Sequence, residues 1–206
     1  MTTSIPWDID NLTIKHGNHP PPNGKVESCA MEACYLRWAA RQGWDKQAVI
    51  SGWTDSLACV DPLIGGFVRR WNDALGSDEA RTRIFTPELL DLLPDTRGDD
   101  ELMRRRMWMS IDWDIRTRTP AFLRLAKLDV CAAELEALAP IRSQEDLANA
   151  GPACAEARTQ AAAPRDAAGD AARDAAGDAA RSRLRPTVEA MHASAVDLLR
   201  RMCAAR

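Results

Sequence analysis

The sequence predicts an all-α protein, a multi-helix bundle with a tryptophan-rich core and an alanine-rich C-terminal helical hairpin. Apolar residues recur at spacings of three and four along the 206 residues, which is the period of an amphipathic helix. No segment shows the period-two alternation of β-branched residues that a half-buried strand needs. Residues 165–180 repeat Arg-Asp-Ala-Ala-Gly-Asp-Ala-Ala twice without a gap, and alanine has the highest helix propensity.

Helix signals mark three segments of the first half. Residues 26–42 place apolar side chains at helical spacing. The Asp-Pro pair at 61–62 supplies an N-cap followed by proline at the first helical position, and we expect Gly76 to end that helix. The Thr-Pro pair at 86–87 opens a short helix that Pro94 should end.

Two further helices are predicted next along the chain. Asp99 or Asp100 opens a long helix that runs to about Thr117. The Thr-Pro pair at 119–120 opens the following helix.

The C-terminal half carries one capping signal, two prolines and the repeat. Ser143, with Asp146 three residues later, is a variant of the capping box. We expect Pro164 to start a new helix and Pro186 to start the last one. In the repeat at 165–180 the alanines form a narrow face beside an aspartate stripe, and this face should pack on the final helix or on the core.

The distribution of large side chains predicts the domain organisation. All Trp, Phe and Tyr residues lie at or before Phe122, and aromatic side chains dominate the energetics of a core. We therefore predict an extended N-terminal segment over 1–25, a helical core domain over 26–150, and an alanine-rich helical extension over 151–206 that packs on the core.

Composition and charge exclude several classes of function. A net charge of −3 gives no electrostatic reason for binding nucleic acid or an anionic membrane. No apolar run approaches the ~20 residues of a membrane span, and the first residues do not resemble a secretory signal, so we expect a cytoplasmic protein. The six cysteines are widely spaced and are expected to be reduced. There is no Walker loop, dinucleotide fingerprint or H-E-x-x-H motif, and no cofactor is predicted.

The helix beginning near residue 99 carries the most promising polar side chains. Helical spacing places Asp112, Arg105 and Arg116 on a narrow arc between two apolar flanks, and we expect this arc to be enclosed. An enclosed Asp–Arg pair is costly unless it is well bonded. It could be an anion site or hold a general acid–base aspartate, but a structural ion pair is the favoured interpretation.

Other candidate residues lie near the two ends of the helix that the Asp-Pro pair at 61–62 begins. Asp55, Cys59 and Asp61 cluster before a helix, where a cysteine pKa could be lowered, but capping and a packed thiol are the favoured interpretation. Asn72 and Asp73 are poor residues for a helix interior and could mark a pocket, although polar residues near a helix end are commoner.

A metal site is the remaining chemical alternative. His16 and His19 lie in a Pro/Gly/Asn-rich loop and could meet Cys29. Ordinary loop histidines and a buried cysteine are the favoured interpretation, and we predict no metal.

Five motifs resemble those of a group of uncharacterised all-helical proteins from actinobacterial genomes and phages that carry an alanine-rich repeat before the last helix. The resemblance spans about 25 to 203 and rests on Cys-Ala-Met-Glu (29–32), Thr-Asp-Ser-Leu-Ala-Cys-Val-Asp-Pro-Leu-Ile-Gly (54–65), Trp-Asn-Asp (71–73), Asp-Trp-Asp-Ile-Arg-Thr-Arg-Thr-Pro-Ala (112–121) and Leu-Arg-Pro-Thr-Val (184–188). Its motifs contain the candidate polar cluster: Glu32, Asp55, Cys59, Asn72, Asp73, Asp112 and Arg116.

Two departures from the group's pattern matter. Its members tend to read Ser-Asp-His-Pro where this chain has Thr-Asp-Ser-Leu at 54–57, which weakens a catalytic or metal role for that loop. They often carry Trp where this chain has Gly169 and Gly177, which predicts a thinner repeat helix here.

The sequence therefore predicts a binding or regulatory protein of a phage or mobile element that acts by protein–protein contact, with a homo-oligomer as one possibility. The alternative is a small-ligand-binding protein or enzyme with an enclosed Asp/Arg site. No membrane or nucleic-acid partner is predicted.

Overall fold

The computed structural model describes residues 6–23, 26–174 and 178–205, with side chains described outside 163–183. The all-α prediction is confirmed. The helices in chain order are α1 (Ala30–Arg41), α2 (Lys46–Ser51), α3 (Pro62–Ala74), α4 (Asp78–Ile84), α5 (Pro87–Leu90), α6 (Asp100–Trp113), a π-helical turn (Asp114–Arg118), α7 (Thr119–Leu125), α8 (Asp129–Ala137), α9 (Gln144–Asp174) and α10 (Asp178–Ala204).

The predicted capping residues start several of these helices. The Asp61 carboxylate accepts the backbone N–H of Leu63 at 2.9 Å at the start of α3. Thr86 caps α5 in the same way, and Ser143 accepts the N–H of Asp146 at 3.1 Å at the start of α9. Each side chain satisfies a helix N–H that would otherwise have no partner.

Both predicted proline starts in the C-terminal half are wrong. Helix α9 runs through Pro164, and α10 begins at Asp178 and contains Pro186. An interior proline removes one backbone hydrogen bond, but the alanines that precede Pro164 are the strongest helix formers and offset that loss. How the alanine face of the repeat packs lies outside the described side chains.

The chain folds as two compact units. The first comprises 1–103 and 199–206, and the second comprises 104–198. The predicted boundaries at 25 and 150 do not coincide with this division. Since α6 and α10 each cross a unit boundary, the division does not fall in a loop that the sequence could mark.

The first unit contains the tryptophan-rich core. Helix α1 packs against α3 and α5, and it buries Met31 and Leu36. Tyr35 contacts the rings of Trp44 and Trp53 edge to face, with ring centroids 6.2 and 5.9 Å apart. Such contacts add to the apolar burial that holds the core together.

The second unit contains most of α6, the π-helical turn, α7, α8, α9 and most of α10. Helices α7 and α8 form an antiparallel hairpin, and α8 also packs on α9. The buried cluster of this unit consists of small and medium-sized side chains: Leu123, Cys131, Ala132, Leu135 and Ala157. The described helices include none with the length and apolar content to cross a bilayer.

Candidate functional site

The N-terminal segment, residues 6–23, contains no helix and is held within the first unit by a buried carboxylate. Glu32, 1% exposed, lies in the first turn of α1. It accepts the backbone N–H of His19 at 2.6 Å, the Nδ1 of His19 at 3.0 Å and the N–H of Cys29 at 2.7 Å. Trp53 Nε1 donates to the His19 carbonyl at 2.7 Å. Glu32 therefore caps α1 and anchors the segment at the same time.

Two more members of the predicted polar cluster hold the same segment. Asn72, 1% exposed, donates from Nδ2 to the Lys15 carbonyl at 3.0 Å and accepts the N–H of Ala30 at 3.3 Å. Asp73 accepts the N–H of Gly17 at 3.2 Å. These polar residues at the end of α3 therefore bind the backbone of residues 15–17, which explains why they occur near a helix end.

Asp55 and Cys59 lie near the same α1 region but make different contacts. The Asp55 carboxylate helps to raise the pKa of the Cys29 thiol, and its backbone carbonyl accepts Arg69 Nη1 at 2.9 Å. Cys59, half-buried, acts electrostatically on the thiol of Cys34. Neither contact supplies Cys59 with the general base that a nucleophilic cysteine needs, so the geometry favours a packing role for Cys59.

The chemistry of the thiols disfavours metal binding by Cys29. Burial is the main cause that raises the pKa of Cys29 to about 12, so the thiolate that binds metals is disfavoured. His19 directs Nδ1 to Glu32, and exposed His16 lies 4.0 Å from Asp73. Within the described residues, no group of three or more His, Cys, Asp or Glu side chains could hold a metal ion.

Asp112 and Arg116 belong to the second unit, whereas the other members of the predicted cluster lie in the first. Arg116 Nη1 donates to Asp112 Oδ1 at 3.2 Å, and the same oxygen accepts the N–H of Ile141 at 2.8 Å. Both side chains are about one-quarter exposed. The pair therefore connects the π-helical turn to the segment that precedes α9.

The predicted enclosure of Arg105 is wrong. Arg105 is exposed, whereas the next residue, Arg106, is fully buried on the other polar arc of the helix. A helix with two apolar flanks has two polar arcs, and its sequence does not determine which arc the fold covers.

The structure contains a more enclosed Asp–Arg site that the sequence analysis missed. Arg37 in α1, whose side chain is 12% exposed, donates from Nε and Nη2 to the two carboxylate oxygens of Asp91 at 2.7 and 2.8 Å. Its Nη1 donates to Asp10 at 2.7 Å and to the Ile9 carbonyl at 3.1 Å. The sequence hints at this site only through the presence of an arginine in the largely apolar helix α1. The partners of Arg37 lie 54 residues downstream and 27 upstream, so no local pattern connects them.

An exposed apolar surface on the α7–α8 hairpin was also missed. Phe122 is 49% exposed, Leu125 37% and Val130 73%. They lie on α7 and at the start of α8, on both sides of a tight turn in which Lys127 has a φ of 61°. We name these three residues the hairpin surface. The spacing of Phe122 and Leu125 places them on one helix face. The sequence does not show that this face is exposed, because that depends on which side of α7 the helices α8 and α9 cover.

Comparison of the chain with protein-family models, with curated proteins and with solved structures finds no match.

Proposed function

We propose that this is a cytoplasmic binding or regulatory protein that acts by contacting another protein through the hairpin surface. The observation that carries the proposal is the exposure of three large apolar side chains within a short hairpin: Phe122, Leu125 and Val130. Single exposed apolar residues are ordinary, but a cluster of them is typical of interaction sites.

The surroundings of the hairpin surface have the composition of an interface. Arg124 pairs with Glu136 and lies 3.5 Å from Asp129, so charged side chains lie beside the apolar ones. Protein interfaces combine an apolar centre with a polar rim, and an aromatic residue is a common anchor. Phe122 supplies such an anchor here.

The hairpin is also organised before any partner binds. Leu123 and Leu135 are buried on its inner side, where α8 packs on α9. A surface presented by a packed scaffold loses little conformational entropy on association, which favours affinity.

Affinity capture from a native host lysate, with the protein as bait, tests the proposal. The double variant Phe122→Ser/Val130→Ser should lose a partner that the wild-type protein recovers repeatedly, because it removes most of the exposed apolar area of the hairpin surface. Leu92→Ser is the matched control, since Leu92 is 43% exposed in the first unit. A partner retained by the double variant, or no specific partner in repeated captures, contradicts the proposal.

A second copy of the chain is one candidate partner. Light scattering during size-exclusion chromatography distinguishes it: a dimer that the double variant converts to a monomer assigns the hairpin surface to self-association. Leu92→Ser should leave the measured mass unchanged.

The second candidate function is binding of a small anionic ligand by Asp112 and Arg116. The observation that favours it is Arg116 Nε, which is buried without a hydrogen-bond partner among the described residues and belongs to the π-helical turn. Irregular turns of this kind are frequent at functional sites.

Thermal-shift measurements with a panel of inorganic and carboxylate anions test this second function. An anion that stabilises the wild-type protein should fail to stabilise Arg116→Ala while that variant remains folded. Arg118→Ala is the control, because Arg118 forms the neighbouring i,i+4 pair with Asp114. Equal losses in both variants, or no stabilising anion, contradict a ligand role for Arg116.

The predicted association with phages or mobile elements rests on the resemblance of the five motifs and stays a prediction. Recovery of a phage-encoded protein in the affinity capture would support it.

A further inference from the structure

A cavity of about 230 Å³ lies in the first unit between the N-terminal segment and helices α1, α4 and α5. Its walls include the apolar side chains of Leu12, Phe85 and Leu90. Benzene occupies an engineered cavity of about 150 Å³, so this cavity can take one six-membered ring with a short substituent. The cavity is half open to solvent, and its volume suits a small molecule.

One wall of the cavity carries the guanidinium of Arg37. Asp91 holds two of its nitrogens, while the remaining Nη1 donates to Asp10. The two aspartates differ in exposure, because the Asp10 side chain is 73% exposed and that of Asp91 only 29%. Exposed ion pairs contribute little stability, so Asp10 is the partner that Arg37 can exchange most easily.

We propose that this cavity binds a small monocarboxylic acid with a ring-sized apolar body. The ligand's carboxylate replaces Asp10 at Arg37 Nη1, and its ring contacts Phe85 and Leu90. Thr82 also lines the cavity, and its hydroxyl, which accepts the N–H of Ile14 at 2.9 Å, still has a proton to donate to the carboxylate.

The charges around Arg37 favour a monoanion. Arg37 and Arg41 carry two positive charges, and Asp91 and Asp10 carry two negative ones. A carboxylate that takes the place of Asp10 at Nη1 preserves this pairing. A phosphate dianion would bring a second negative charge close to Asp91, where like charges repel.

Titration of the wild-type protein with 3-phenylpropionate, followed by amide chemical shifts in NMR spectra, tests the proposal. The alcohol 3-phenylpropanol is the matched neutral probe, and inorganic phosphate is the probe for a simple anion site. We expect the acid to shift the amides of Leu12 and Leu90 and to bind at least about tenfold more tightly than the alcohol, since charge-assisted hydrogen bonds are the stronger class. Phosphate should bind more weakly than the acid.

The variant Asp10→Asn sharpens the test because it removes the competing carboxylate and leaves Arg37 and Asp91 in place. It should tighten binding of 3-phenylpropionate about twofold to fivefold, the range expected from releasing an exposed ion pair. Asp129→Asn is the matched control, since Asp129 is 71% exposed and lies beside Arg124 in the second unit. It should leave the affinity unchanged.

Four results overturn the proposal. They are equal binding of the acid and the alcohol, binding of phosphate as tight as that of the acid, unchanged or weaker binding by Asp10→Asn, and no shift of the cavity amides with benzoate, hexanoate or 3-phenylpropionate up to about 10 mM. None of these results bears on the hairpin surface, so this inference and the proposed protein contact fail independently.

Discussion

The anchoring role of Glu32 leads to a quantitative prediction for the substitution Glu32→Gln. The Glu32 side chain, 2% exposed, accepts three N–H donors at 2.6, 2.7 and 3.0 Å. In glutamine one terminal oxygen becomes an NH₂ donor, which cannot accept an N–H. If the amide nitrogen replaces Oε1, it faces the N–H of His19; if it replaces Oε2, it faces the N–H of Cys29 and the His19 ring.

The least costly of these two arrangements still loses one hydrogen bond to a buried charged group. Such a bond is worth about 1.5–3 kcal/mol, and the donor left without an acceptor adds a desolvation cost. We therefore expect Glu32→Gln to lower the free energy of unfolding by about 2–4 kcal/mol. The loss should be accompanied by faster hydrogen exchange at the amides of His19 and Cys29.

Urea denaturation followed by circular dichroism measures the global effect, and hydrogen exchange measures the local one. Glu27→Gln is the control, because Glu27 is an exposed glutamate close to Glu32 in sequence. The reasoning is refuted if Glu32→Gln changes the free energy of unfolding by less than about 0.5 kcal/mol and leaves exchange at both amides unchanged.

Three further predictions concern single side chains. The Arg37 guanidinium lowers the pKa of Asp91 below its usual range. The ionised carboxylate therefore stabilises the fold above its unfolded pKa, and this contribution is lost as the pH falls through the folded pKa. In acid titrations of unfolding, Asp91→Asn should show a smaller loss of stability below about pH 4 than the wild-type protein. Lys127 has a φ of 61°, so Lys127→Gly should raise the free energy of unfolding by up to about 1 kcal/mol in urea titrations, and no gain would contradict a strained turn. Burial raises the pKa of Cys29 to about 12, so mass spectrometry after iodoacetamide treatment should find Cys59 labelled before Cys29. Preferential labelling of native Cys29 would contradict its burial.

The sequence was informative wherever the determining interaction is local. The caps at Asp61 and Ser143 were predicted because a cap and the N–H that it accepts are two or three residues apart. The proline starts at Pro164 and Pro186 were wrong because a proline that would suit the first position of a helix can also occupy its interior.

The candidate site was predictable in part, for the same reason. Asn72 and Asp73 were selected as poor residues for a helix interior, and Glu32 was included through the resemblance of its motif; all three hold one segment of the chain. That they bind this segment could not be predicted, because its residues lie 13 to 57 positions away from them. Arg37 was missed altogether, since its partners are distant in sequence and such a pair leaves no periodic signal.

The contacts of the N-terminal segment also determine an order of events during synthesis. The N–H of Ile14 bonds to Thr82, and the carbonyl of Lys15 accepts Asn72, so both bonds span more than fifty residues. The residues of the segment leave the ribosome before α3 and α4, yet they find these partners only after both helices have emerged. At about 5–20 residues per second, the segment stays undocked for several seconds, during which Asn72 and Thr82 must find it by closing a long loop. This segment is therefore made before the helices that hold it and reaches its final place only after them.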